Sequence, residues 1–268
     1  MSEQLSMGSH ANWSSRADVL TQPSRCNHAA HLFCDDQSLC SALELYIGNA
    51  LRRGNGAIVV ATMEHVDHLM LRLMQSGIDV AAARNSAQLV FLDAQATLER
   101  IMQGDKVDLA AADAVIRPVL LQAQSAFGEV CAFGELVNLL WMQRNKPAAV
   151  ELEQWWNRQI DQLGFSLLCA YRADPFDEQA QLDLDALCST HSHLIPVIDD
   201  AQLERAVIAA LHEMVPTGDA AAMCECLATQ CSHATAMPRA QAALLALRDA
   251  LPWLAPDIRR LARRHYGG

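Results

Sequence analysis

"HAAHLFCDDQSLCSALELYIGNALRRGNGAIVVAT" (residues 28–62) decides the fold class. It opens on a short apolar run, 28–34, followed by an acidic turn. Residues 38–53 then carry Leu39, Leu43, Ile47 and Leu51 on one helical stripe, and Gly54-Asn55-Gly56 supplies the stop. "AIVVAT" (57–62) is a continuous β-branched run, which suits a strand covered on both faces in a parallel sheet. Strand, helix and strand in this order predict a right-handed crossover.

Such a fold places a phosphate loop after its first strand. That loop needs glycines for close backbone approach and a lysine for the phosphates. Residues 34–41 hold neither, and no G-x-G-x-x-G or G-x-S-x-G stands elsewhere. Nucleotide hydrolysis is therefore the alternative reading, as a divergent Mg-dependent NTPase using an acidic rim. A ligand-free adaptor protein is a further one.

Working outward, the next helix starts near Met63 and ends at Gly77, with Val66, Leu69, Met70, Leu73 and Met74 at helical spacing. "LVFLD" (89–93), "EVCAFG" (129–134) and "FSLLCAY" (165–171) read as three more strands, and "HLIPV" (193–197) as a short sixth. Helices are expected at 94–103, 109–126 with a break at Arg117-Pro118, 135–144, 147–163 and 183–192. The class is α/β, a mostly parallel sheet of five or six strands with flanking helices. After residue 200 only helical stripes recur: Leu203, Ala206, Val207, Ala210, Leu211 and Met214, then Ala243, Leu244, Leu247 and Leu251. The expected division is a flexible tail (1–25), an α/β domain (26–198) and an all-helical C-terminal appendage (199–268).

The 268 residues are 51% hydrophobic and 19% charged, enough for a packed core. Apolar runs fall short of the roughly 18 residues of a membrane span, and the first 27 residues lack the apolar stretch of a secretory signal. A cytoplasmic protein with no membrane contact is expected. A net charge of −11 argues against direct nucleic-acid binding by the whole surface. The end is basic, with six arginines between 239 and 268 (239, 248, 259, 260, 263, 264) against Asp249 and Asp257. Those arginines read as a solvated helix face or as a docking surface for an acidic partner. The nine cysteines are scattered, as in reduced intracellular proteins.

Ligands of open parallel sheets bind at the strand carboxyl ends. That rule gathers Asp35, Asp36, Thr62, Glu64, His65, Asp93, Glu135, Tyr171 and Arg172. A rim rich in carboxylates suits a small polar or cationic metabolite, or a metal-bridged anion, better than a bare phosphate. The competing reading is that these acids cap the following helices. The expected ligand contacts are Asp36, Thr62, Glu64 and Glu135, with Asp35 and Asp93 beside them and His31 and Tyr171 as lining. Cys34 and Cys40 flank the turn, where neighbouring Asp35 and Asp36 oppose a reactive thiolate. No catalytic constellation is evident.

Cys224, Cys226, Cys231 and His233 have metal-like ligand types, but a continuous helix cannot aim all four at one ion, so no metal is expected there. His28 with His31, and His191 with His193, read as structural histidines; one from each pair could meet in space. Trp141, Trp155 and Trp156 read as core, or as an aromatic wall.

"HAAHLFCDD", "GAIVVATMEH", "QLVFLDA", "AFGELVNLLW", "ELEQWWNRQ", "FSLLCAYRADPF" and "HSHLIPV" occur in order. Together they resemble the MEDS domain, the methanogen/methylotroph sensory domain named from a dichloromethane dehalogenase repressor, over roughly 26–197. The resemblance implies a RecA-like sheet used as a sensory input module in signal transduction or transcription regulation. It carries over His31, Glu135, Trp141, Glu153, Trp156 and Asn157; Cys34 stands where the family often has Tyr. No kinase block or evident helix-turn-helix accompanies it. The implied protein is a non-enzymatic regulator without a cofactor. It would bind a small molecule at the rim and signal through 201–268 to a regulatory protein partner or a second copy in a homodimer.

Overall fold

The computed structural model describes residues 16–22, 26–174, 176–177, 190–195, 200–231 and 239–267. The chain runs through helix α1 (Arg16–Thr21), strand β1 (His28–Phe33), α2 (Asp36–Arg52), β2 (Gly56–Ala61), α3 (Met63–Gln75), α4 (Val80–Asn85), β3 (Leu89–Asp93) and α5 (Ala94–Ile101). A small hairpin, β4 (Met102–Gln103) and β5 (Lys106–Val107), turns at Gly104 with φ +64°. Then come α6 (Leu109–Val115), α7 (Arg117–Phe127), β6 (Val130–Gly134), α8 (Leu136–Met142), α9 (Lys146–Leu163), β7 (Ser166–Arg172) and β8 (His193–Ile195). Four helices follow: α10 (Asp200–Met214), α11 (Ala220–Gln230), α12 (Arg239–Ala250) and α13 (Ala255–Gly267).

Six strands form one all-parallel sheet in the order β3-β2-β6-β7-β1-β8, so the α/β class stands. Alternate side chains enter two different cores because successive Cβ atoms point to opposite faces. Ala30, Leu32, Ile58, Val60, Ala132, Cys169 and Tyr171 face α5 to α9. Ala29, Phe33, Val59, Ala61, Phe133 and Ala170 face α1 to α4.

The local differences have simple causes. The helix expected over 94–103 stops at Ile101, where Gly104 allows the tight β4–β5 turn. The Arg117-Pro118 break is present, with the proline in the first turn of α7. Part of the expected flexible tail is helical: α1 forms because Val19 and Leu20 have an apolar surface to bury against. Most of the expected 183–192 helix lies outside the described residues; Thr190 is helical, but His191 and Ser192 are not. There Ser192 N–H donates to the His28 carbonyl at 2.8 Å, which starts the β1–β8 pairing. Residues 196–197 of the sixth strand also lie outside the described residues.

Among the described residues no strand follows Ile195, and no helix is long and apolar enough to cross a membrane. The expected C-terminal appendage is all-helical among the described residues, and its helices pack chiefly on one another. Leu203, Val207, Leu211, Leu244, Leu247 and Leu261 belong to the same buried cluster as Tyr171 and Trp156. The leucine stripes of α10 and α12 are therefore packed inside the chain.

Candidate functional site

The open end of the sheet lies where the chain diverges. After β2 it turns into α3 on one face, and after β6 into α8 on the other. In doubly wound sheets this divergence leaves a ligand crevice. Here the protein's own side chains occupy it. Glu135 is 2% exposed and sits at the N-cap position of α8, yet makes no cap there. Its carboxylate reaches across to accept the Thr62 N–H at 2.9 Å and to meet His65 Nδ1 at 2.9 Å. Thr62 Oγ1 lies 3.1 Å from the same ring nitrogen. The far nitrogen, His65 Nε2, is 3.5 Å from Asp36 Oδ1, and Asp36 also pairs with Arg172. The Arg172 guanidinium lies over the Phe33 ring. A chain of alternating charge, Glu135–His65–Asp36–Arg172, thus spans the ends of β6, β2, β1 and β7. Hydrogen bonding to Glu135 raises the His65 pKa above its ordinary 6.5; burial opposes this, and Asp36 adds to it.

A groove of about 330 Å³ adjoins this chain between α2 and α3. It is lined by Asp36, Gln37, Cys40, His68, Leu71 and Arg72 among others, and its volume falls at the lower end of small-molecule sites.

The other expected site residues divide between caps and core. Asp35 accepts the Ser38 N–H at 2.8 Å and Asp93 the Ala96 N–H at 3.0 Å, each capping its helix. Glu64 is exposed in the first turn of α3. His31 is fully buried on the α2 face of the sheet, and Tyr171 is fully buried on the opposite face; neither lines a loop. The Cys34 thiol is pushed up by burial and by Asp35, and burial pushes Cys40 up to about 11. Neither thiol is an activated nucleophile.

A second constellation lies beneath α9. His28 opens β1, Cys169 is central in β7, His191 precedes β8, and Glu153 projects from α9. His28 and His191 meet with ring centroids 4.2 Å apart. Glu153 Oε2 lies 3.1 Å from His28 Nε2, and Oε1 lies 3.3 Å from His191 Nε2. Tyr171 donates its hydroxyl to Glu153. Burial pushes the Glu153 carboxyl up, but the His191 and His28 rings outweigh it and hold the group well below the usual carboxylate range. Burial and the Glu153 charge push the Cys169 thiol and the Tyr171 hydroxyl up. Trp155 and Trp156 are core, 1% exposed each, and Trp141 packs edge-on against Tyr171.

In the C-terminal helices, Cys224 is buried, Cys226 is exposed, and Cys231 is buried just past the end of α11; His233 lies outside the described residues. The basic end is internally neutralised. Arg239 pairs with Glu204, Arg248 with Asp249, Arg260 with Asp257, Arg263 with Asp174 and Arg264 with Glu213. Arg259 is buried and reaches the Leu244 carbonyl at 3.5 Å.

The family described as "MEDS: MEthanogen/methylotroph, DcmR Sensory domain" matches residues 27–192. The chain belongs to the MEDS family. No curated protein matches the sequence. The MEDS match runs from the residue before β1 to the residue before β8, so it contains both the strand-end rim and the buried His–Glu–Cys constellation, while α10 to α13 lie beyond it. Sequence reasoning gathered most of the MEDS rim; of the constellation beneath α9 it had the meeting of one histidine from each pair and Glu153 by resemblance, but not their convergence with Cys169. One signal pointed to it: Glu153 sits between Leu152 and Trp156, on the apolar face of α9, where a carboxylate needs buried partners.

Proposed function

We propose that this MEDS protein is a non-enzymatic sensory regulator whose ligand is a small polar or cationic metabolite. The ligand enters the α2–α3 groove and competes for Asp36. One observation carries the reading: Asp36 is shared between His65 and Arg172, and Arg172 stands two residues from Asp174, which pairs with Arg263 of α13. Phe176 extends the same link, with its ring 5.9 Å from that of Tyr266 and beneath Arg263. A cation at Asp36 releases Arg172, and the strain passes through a three-residue segment to the last helix. A ligand acts through different affinities for two states, and an ion-pair exchange at Asp36 supplies that difference. Output runs through the outer surface of α10 to α13, to a regulatory protein partner or a second copy, because the inner leucine stripes are already packed.

The reading is tested by native mass spectrometry of the intact protein before and after denaturation, with hydrogen exchange on α13. A co-purified small molecule that is lost in Asp36→Asn, with altered exchange in α13, is the expected result. ATP turnover above background that disappears in Glu64→Gln overturns it in favour of a Mg-dependent NTPase. Unchanged partner capture and exchange with and without a bound molecule favour an adaptor.

A further inference from the structure

The constellation beneath α9 has the composition and dimensions of a four-ligand metal site. His28 Nε2, Cys169 Sγ, His191 Nε2 and one Glu153 oxygen are all buried, and one ligand atom from each residue lies within 4.8 Å of every other. Three measured edges are His28 Nε2 to Glu153 Oε2 at 3.1 Å, His28 Nε2 to Cys169 Sγ at 3.4 Å, and Cys169 Sγ to Glu153 Oε2 at 3.7 Å. A tetrahedral zinc ion with Zn–N and Zn–O near 2.0–2.2 Å and Zn–S near 2.3 Å requires ligand–ligand edges of roughly 3.3–3.6 Å. These three edges bracket that range, and His191 Nε2 closes the set from within 4.8 Å of each of the other ligand atoms.

The outer groups are also those of a metal site, where each ligating histidine has its other ring nitrogen held by a neighbour. His28 Nδ1 lies 2.8 Å from Asn157 Oδ1, and the Asn157 amide donates to the Thr190 carbonyl at 2.9 Å. That second bond fixes Oδ1 as the end facing His28, so Nδ1 carries the proton and Nε2 turns its lone pair inward. His191 Nδ1 lies 3.0 Å from Thr190 Oγ1, and Tyr171 donates to the Glu153 carboxylate. A lone pair aimed at a buried carboxylate is repulsive unless a proton or a cation stands between them. A divalent ion also balances the charge: one thiolate and one carboxylate against two positive charges leave a neutral buried unit. Borderline N, O and S donors in a compact, closed set favour zinc over calcium or magnesium, which take oxygen shells.

We infer that His28, Glu153, Cys169 and His191 bind one zinc ion, which fastens β1, β7, α9 and the segment entering β8 to one another. The site stands apart from the rim: none of its four residues contributes to the Glu135–His65–Asp36–Arg172 chain, and it does not require a sensory ligand.

The test uses the intact protein, freed of metal with a chelator and titrated with Zn²⁺ and with Co²⁺. The expected result is one equivalent bound, with a thiolate-to-cobalt charge-transfer band and the visible bands of tetrahedral cobalt. Cys169→Ser, an isosteric change whose folding is checked by circular dichroism, removes the charge-transfer band. Asn157→Ala keeps the band but weakens zinc about 10–100-fold, the usual cost of losing an outer partner. Cys224→Ser/Cys226→Ser binds as the unchanged protein does. A folded protein that takes up no zinc or cobalt, or a charge-transfer band that survives in Cys169→Ser, overturns the assignment, as does metal that departs with Cys224 and Cys226.

Discussion

At His65 two carboxylates bid for one imidazole, and the result is a pH-dependent latch. Hydrogen bonding to Glu135 raises its folded pKa above 6.5. A raised value means the folded state holds the proton more tightly. The stabilisation is therefore fully present below the unfolded pKa and is lost as pH rises through the folded one. His65→Gln should flatten the stability difference between roughly pH 5.5 and roughly pH 8.5 in chemical denaturation; an unchanged slope would show that the latch contributes nothing. Glu153 behaves differently because it is buried with every partner committed. Glu153→Ala removes the buried carboxylate that His28 Nε2, His191 Nε2 and the Tyr171 hydroxyl all face, and removing one member of a buried charged cluster costs about 3–5 kcal/mol. Urea unfolding should show that loss, with Glu153→Gln losing less because it keeps the shape and one acceptor oxygen.

At the scale of elements, the strand-end acids resolve into two kinds by where their oxygens go. Asp35, Asp93 and Asp108 turn back to the first turns of their own helices, and Asp108 accepts from both Ala110 and Ala111 N–H at 3.0 Å. Asp108→Ala should cost about 1 kcal/mol, the worth of an N-cap, with no effect on ligand occupancy; thermal melts and native mass spectra check the two halves. Glu135 sits at the same kind of position but bonds outward, because the crevice between β2 and β6 brings the Thr62 N–H within reach. The element pattern was legible: strand alternation, the leucine stripe of α2 and the Pro118 break all follow from local chemistry. The direction in which each acid turns was not, since an aspartate at a strand end fits both roles until the neighbouring strand is placed.

For the whole molecule, the proposed signal path crosses from the rim to α13 through Arg172, Asp174 and Arg263. Exposed ion pairs contribute little to stability, typically under about 1 kcal/mol. Arg263→Ala should therefore leave the melting temperature almost unchanged while abolishing any ligand-dependent change in hydrogen exchange on α13; a path elsewhere would leave that change intact. Trp253 is 73% exposed between α12 and α13, the most open large apolar side chain described. If output runs through this surface, Trp253→Ala should reduce homodimer or partner-complex formation in native mass spectra without altering the fold. The arginine-rich end is a weaker candidate for such contacts, because its guanidinium groups are already held by this chain's own acids and by one carbonyl.

By itself the sequence determined the alternation of strands and helices, the parallel class, the lack of glycine and lysine in the loop after β1 and the membership of residues 27–192 in the sensory family. These rest on local period, turn residues and ordered motifs, which need no distant partner. Only the tertiary structure decided that the leucine stripes of α10 and α12 are buried where the C-terminal helices pack together, that Glu135 plugs the crevice, and that His28, Glu153, Cys169 and His191 converge. His28 and His191 are 163 positions apart in the chain. They meet because β1 lies between β7 and β8 in the sheet, and strand order is set by the packing of whole faces, which no short stretch of sequence encodes.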